Sequence, residues 1–190
     1  MPRTRSVHDE VLLDAALQIV HTSGPSALSF GSLAERVDLA ASTLVQRFGS
    51  KAGLLQATLL FAWDRLDAET AAIDATTALD ASGVVDLLVG LSGQYEADGY
   101  ADQLMVLRED LRDPVLRGRG KSWIAALIEC VERRLDDVPG GTDGLGQIVV
   151  GQWQGTLTIW GFTRQGPLPD IVRRSVTALL DRLGATTIRR

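Results

Sequence analysis

The sequence predicts an all-α fold of about nine helices. Two observations carry that expectation. Apolar residues recur at i, i+3, i+4 and i+7 through nearly the whole chain, the spacing of one helical face. The interruptions are proline- and glycine-bearing breaks such as Gly24-Pro25, Asp113-Pro114, Pro139-Gly140-Gly141 and Gly166-Pro167, residues that stop helices. No convincing strand or internal repeat stands between them.

In order, the first helix spans Asp9 to about Thr22, with Val11, Leu12, Ala15, Ala16, Ile19 and Val20 in register. The second runs from about Phe30 to Val37. Ser29 sits before it as an N-cap able to accept from free N–H groups of the first turn. Asp38-Leu39-Ala40 is a turn, and a third helix covers about Ala41 to Phe48. A long helix follows from Lys51 to about Ile73, and Thr76 to Gly83 is expected as loop. Further helices are expected at Val84 to about Ala97, Ala101 to Leu111, Pro114 to about Leu135, Asp143 to about Thr163, and Asp170 to Leu183. No Pro/Gly linker interrupts the long helix after Lys51, which favours one rigid unit over two tethered domains.

The most informative stretch is 29–48. In the second helix Phe30, Leu33, Ala34 and Val37 share a face. In the third, Ala41, Leu44, Val45 and Phe48 fall within about a third of the circumference, leaving Ser42, Thr43, Gln46 and Arg47 on the opposite side. That side offers hydroxyl, amide and guanidinium groups suited to base edges and phosphates. Two short helices joined by a three-residue turn, the second with a polar outer face, form the helix-turn-helix pattern of major-groove readers. Spacing alone fits an ordinary helical hairpin equally well.

The residues themselves separate the two. Val11-Leu12-Leu13-Asp14-Ala15-Ala16-Leu17, Gly24, Ala27, Leu33-Ala34-Glu35-Arg36, Thr43-Leu44, Phe48 and Ser50-Lys51-Leu54-Leu55 as a set resemble the N-terminal DNA-binding domain of the TetR family of transcriptional regulators. The resemblance covers about 50 residues. It implies a helix-turn-helix domain at 1–51 and an effector-binding and dimerisation domain at 52–190. It also implies a homodimer, double-stranded DNA with a palindromic operator as partner, and a small-molecule effector. The expected DNA contacts are Ser42, Thr43, Gln46 and Arg47 in the major groove, Lys51 on a phosphate, and Arg3 and Arg5 of an N-terminal arm.

Five positions depart from the family's pattern, among them Gly31, where a longer polar residue is common. Asp38 stands where the turn usually opens with Gly; aspartate is one of the few residues that tolerates a left-handed backbone. Ala40 replaces a capping Ser, losing about 1 kcal/mol of cap. Val45 and Arg47 occupy places often aromatic; Arg47 offers a charged contact instead, and Val45 can pack inward or meet a thymine methyl. The lost cap at Ala40, Val45 and a neutral N-terminal domain motivate an alternative, a helical ligand-binding or interaction protein whose DNA reading has degenerated.

Composition agrees with a helical globular protein: 45% hydrophobic and 23% charged residues, with no run of 18 apolar residues to span a membrane. One cysteine, Cys130, precludes an internal disulfide framework and suits a reducing cytoplasm. The net charge of −5 argues against indiscriminate nucleic-acid binding. Residues 1–51 are neutral overall, so the negative charge lies in the remainder.

No catalytic constellation stands out, and neither a metal site nor a cofactor is expected. Arg119-Gly120-Lys121-Ser122 ends like a phosphate-binding loop, but Val115 occupies the place of its first glycine and no strand precedes it. His8 and His21 lack a ligand pattern around them. All four tryptophans lie beyond residue 51, where they serve either as core or as walls of an apolar effector pocket. The candidates for such a pocket are Trp63, Tyr95, Met105, Arg108, Trp123, Leu127, Gln152 and Trp153, taking a mostly apolar or aromatic molecule. The last two helices are the expected dimer surface, because Gly151 and Gly155 allow a close approach of helices.

Overall fold

The structure, a computed structural model, describes residues 8–93, 100–136 and 144–185. Among them are nine α-helices and one short 3-10 turn, with no strand. The helices are α1 (Asp9–Ser23), α2 (Phe30–Val37), α3 (Ala41–Phe48), α4 (Lys51–Thr76), α5 (Ala81–Ser92), α6 (Tyr100–Arg112), α7 (Pro114–Glu132), α8 (Leu145–Thr163) and α9 (Leu168–Arg182). The all-α expectation holds. The expected loop at Pro139-Gly140-Gly141-Thr142 lies outside the described residues, as do Arg3, Arg5 and Tyr95.

The chain divides into two compact units. The first takes the described residues up to Leu66 together with those between positions 98 and 120, and the second takes the rest. Long helices are therefore shared: α4 belongs to the first unit as far as Leu66 and to the second from Asp67, and α7 changes at Gly120.

The core of the first unit gathers Leu12, Ala16, Ile19 and Val20 of α1 with Leu28, Leu33, Leu44, Leu54, Leu59 and Leu116. Leu12, Leu33, Leu44 and Leu54 are wholly buried. Each fully buried leucine contributes about 1.5–3 kcal/mol by leaving water, which fixes the short α2 and α3 that could not persist alone. In the second unit α9 packs on α5 and α8. Its interior holds Leu87, Leu88, Trp153, Leu157, Val172, Val176 and Leu180.

One helix start differs from expectation. The sequence places the beginning of α5 at Val84 and reads Gly83 as loop, whereas α5 begins at Ala81. The Asp80 carboxylate accepts from the N–H groups of Ser82 and Gly83 at 2.9 and 3.2 Å, capping the helix three residues earlier. Gly83 is inside the helix because of space: a Cβ there would lie 1.8 Å from the Ala78 carbonyl oxygen. The last helix likewise starts at Leu168 rather than Asp170, with Pro169 in the first turn, where its missing N–H costs nothing.

A fully buried arginine ties the end of α4 to that of α7 in the second unit. The Arg134 guanidinium donates to Asp74 Oδ1 at 2.7 Å, to the Asp74, Ala78 and Cys130 carbonyls, and to Thr77 Oγ1. Its side chain has no exposed surface. Arg133 also pairs with Asp74. Cations and N–H donors here satisfy the last carbonyls of α4, which lack partners within their own helix.

Candidate nucleic-acid interface

The site is built by α2, the turn after it, and α3. At the head of α2 the Ser29 hydroxyl accepts from the Ser32 N–H at 3.0 Å, and Ser32 Oγ accepts from the Ser29 N–H at 3.0 Å. This reciprocal pair satisfies two donors that the helix cannot. α2 ends at Asp38, in the left-handed conformation with φ 53° and ψ 47°. The turn thus follows the geometry usually given to glycine, with a residue type that tolerates it. Leu39 N–H closes onto the Ala34 carbonyl at 3.3 Å. α3 begins after Ala40, which supplies no side-chain cap, and ends at Gly49 with φ 74°.

Leu44 anchors α3 with no exposed surface, and Phe48 is half-buried beside it. The opposite side carries Ser42, Gln46 and Arg47, all exposed, while Thr43 is half-buried. Val45 departs from its expected inward face. It is 42% exposed and lies in register with Ser42 and Gln46 on the outer side. The outward face is therefore not wholly polar; it includes one branched apolar group of the kind that meets a thymine methyl.

Both candidate cations are held by neighbouring elements. Arg47 Nη1 donates to Asp9 Oδ1 of α1 at 3.0 Å, an exposed ion pair. Lys51, at the start of α4, donates from Nζ to the Ser26 carbonyl at 3.0 Å. The sequence pattern found these cations but not their partners, which stand 38 and 25 residues away. Long-range pairing of this kind leaves no periodic signal.

The residues named for an effector pocket divide between the units. In the first, Trp63 Nε1–H donates to Asp110 at 3.1 Å, Met105 is exposed, and Arg108 pairs with Glu109 at 2.6 Å. Arg108 borders an open groove of about 500 Å³ with Leu55, Gln56, Arg112 and Leu116. In the second, Trp123 and Trp153 pack as a tilted pair with ring centroids 6.3 Å apart, and Leu127 is fully buried. Trp123 donates to Thr70, Trp153 to Ser92, and the exposed Gln152 to Ser175. Their N–H groups are satisfied within the protein, as buried indoles require.

Two helices in tandem, a three-residue turn opened by left-handed Asp38, and a second helix presenting a mixed outer face make up a helix-turn-helix. Residues 12–58 match the family model described as bacterial regulatory proteins, tetR family. This segment is similar to the DNA-binding part of that family. No curated protein sequence matches the chain.

Solved structures share the fold along almost the whole length. A transcriptional regulator from Rhodococcus sp. Rha1 superposes with a TM-score of 0.75 at 13% identity, covering 93% of this chain and 97% of the other. A Saccharomonospora viridis protein in complex with choline gives 0.72 at 18% identity, covering 92% and 97%. A TetR transcriptional regulator from Legionella pneumophila gives 0.69 at 17% identity, covering 93% and 99%.

Proposed function

We propose that the chain is a cytoplasmic, dimeric transcriptional repressor that occupies a palindromic operator and is released by a small, mostly apolar effector. The observation that carries the DNA-binding part is the outer face of α3. It is exposed, anchored from behind by Leu44, and supplies a hydroxyl, an amide, a guanidinium and one methyl-bearing group. On this reading Ser42, Thr43, Gln46 and Arg47 meet base edges and Lys51 holds a phosphate, with Arg3 and Arg5 reaching the backbone or the minor groove.

Dimerisation is supported by one side of α8. Ile148, Ile159 and Phe162 are 52%, 65% and 89% exposed. An added Cβ at Gly151 or Gly155 would meet nothing within 4 Å. These five positions follow helical spacing and make an apolar stripe of a kind that monomers seldom leave uncovered. Two-fold pairing through α8 and α9 would match a palindromic operator with half-sites about 34–36 Å apart.

Structural neighbours carrying choline in one case, and imidazole in the multidrug binding protein EbrR in another, support an effector. Candidates for its lining within the second unit are Trp123, Leu127, Gln152 and Trp153. A panel of hydrophobic compounds should shift the melting temperature or quench tryptophan fluorescence; silence across a broad panel removes the effector.

The test of DNA binding is selection from random duplex DNA at graded salt, followed by sequencing. Enrichment of a palindrome, with affinity falling steeply as salt rises, is the expected result. Arg47→Ala with Lys51→Ala should weaken binding and flatten the salt slope. Failure of a folded dimer to enrich any sequence at low salt would favour the degenerate-reader alternative.

A further inference from the structure

Arg47 and Lys51 are both engaged, but by chemically different groups. Lys51 leans on a neutral carbonyl, so its ammonium keeps its full charge toward solvent and has two further protons to donate. Arg47 leans on a carboxylate that is itself 68% exposed at the first residue of α1. Any phosphate or base acceptor that Arg47 takes must either displace Asp9 or sit within about two hydrogen-bond lengths of its negative charge.

From this geometry we propose that Asp9 restrains DNA binding by neutralising Arg47. The inference rests on the DNA-binding reading above. Asp9 is not a contact residue in this account; it sets how much of Arg47's charge DNA receives. Its cost to the free protein is small, because an acidic residue in the first turn of α1 is favoured by the helix dipole. Exposed ion pairs contribute little to folding, so the pair has little structural work that its removal would disturb.

Two variants separate charge from hydrogen bonding. Asp9→Asn keeps an oxygen that accepts from Arg47 but removes the charge; Asp9→Ala removes both. The probe is a fluorescent random-sequence duplex of about 30 bp at about 50 mM salt, where binding is dominated by phosphate contacts. Helicity and melting temperature are recorded alongside.

Both variants should bind about three- to tenfold more tightly than wild type. The gain should vanish when Arg47→Ala is present in both members of the comparison. Unchanged affinity in Asp9→Asn overturns the proposal, as does weaker binding in Asp9→Ala, which would make Asp9 a support that positions Arg47. A parallel Lys51→Ala variant keeps the two readings apart. If it weakens binding while Asp9→Asn changes nothing, DNA binding stands and the restraint alone fails. If folded wild-type protein does not bind the duplex at all, both fail.

Discussion

The Trp63 indole Nε1–H donates to Asp110 Oδ1 at 3.1 Å, joining α4 to α6 inside the first unit. Asp110 is 8% exposed, and no cation is among the groups that set its charge state. Burial pushes its carboxyl up to about 6; the Trp63 donor opposes this, and the Asp113 and Glu109 charges reinforce it. The folded protein therefore holds this proton more tightly than the unfolded chain, where an aspartate titrates near 4. Stability from this group is fully present below about pH 4 and is lost as pH climbs through about 6. Asp110→Asn, which keeps an acceptor for the indole, should raise the melting temperature at pH 7.5. The gain should be about 1–2 kcal/mol after solvent screening, shrinking to nothing below pH 4. Equal stabilities at pH 7.5 would contradict this.

The paired serines at the head of α2 lead to a second expectation. Ser29→Ala removes the acceptor for the Ser32 N–H and should cost about 1 kcal/mol. Because α2 has only eight residues, the loss should appear as faster amide exchange there, not only as a lower melting temperature.

At Asp38 the left-handed backbone decides the outcome. Asp38→Gly should be neutral or slightly stabilising, whereas Asp38→Val should cost about 1–2 kcal/mol, since a branched side chain meets the following carbonyl oxygen. Urea titrations of the two variants check the ordering.

Arg134 makes five hydrogen bonds within the second unit. Arg134→Ala would leave the Ala78 and Cys130 carbonyls and Thr77 without their donor, and should cost about 3 kcal/mol or more. Arg134→Lys should recover little, because an ammonium cannot reproduce the planar fork that reaches all five acceptors. Full rescue by lysine would show that only the charge matters.

The proposed dimer is tested on α8. Ile159→Asp with Phe162→Asp changes two exposed side chains, so folding of the protomer should be retained while sedimentation shifts from dimer to monomer. A wild-type protein that is monomeric at micromolar concentration would dismiss the interface.

What the sequence disclosed, and what it hid, follows from the range of the forces. The limits of α2 and α3 were legible because Ser29, Asp38 and Gly49 act on their immediate neighbours. The start of α5 is not legible, because Gly83 punctuates a chain locally while the reason for it, the nearby Ala78 carbonyl, is set by the folded backbone. Leu44 and Val45 are consecutive, so the pattern places both on the apolar face although one must stand near its edge; packing against α2, in the core shared with α1, selects Leu44. The pairs Arg47–Asp9 and Trp63–Asp110 bridge 38 and 47 residues, and no periodicity encodes them.

Leu116 lies in the same core as Leu12, Leu33 and Leu44, though more than half the chain length separates it from Leu12. On the ribosome, then, the helices that would read DNA cannot finish their core when their own residues emerge. They must wait for α7, a delay of roughly 3–11 s after Leu59 at about 5–20 residues per second. During that interval the apolar surface Leu116 will cover stays open to water or to a chaperone. On the proposed reading, binding competence therefore waits for Leu116, which is made well after the residues of α3.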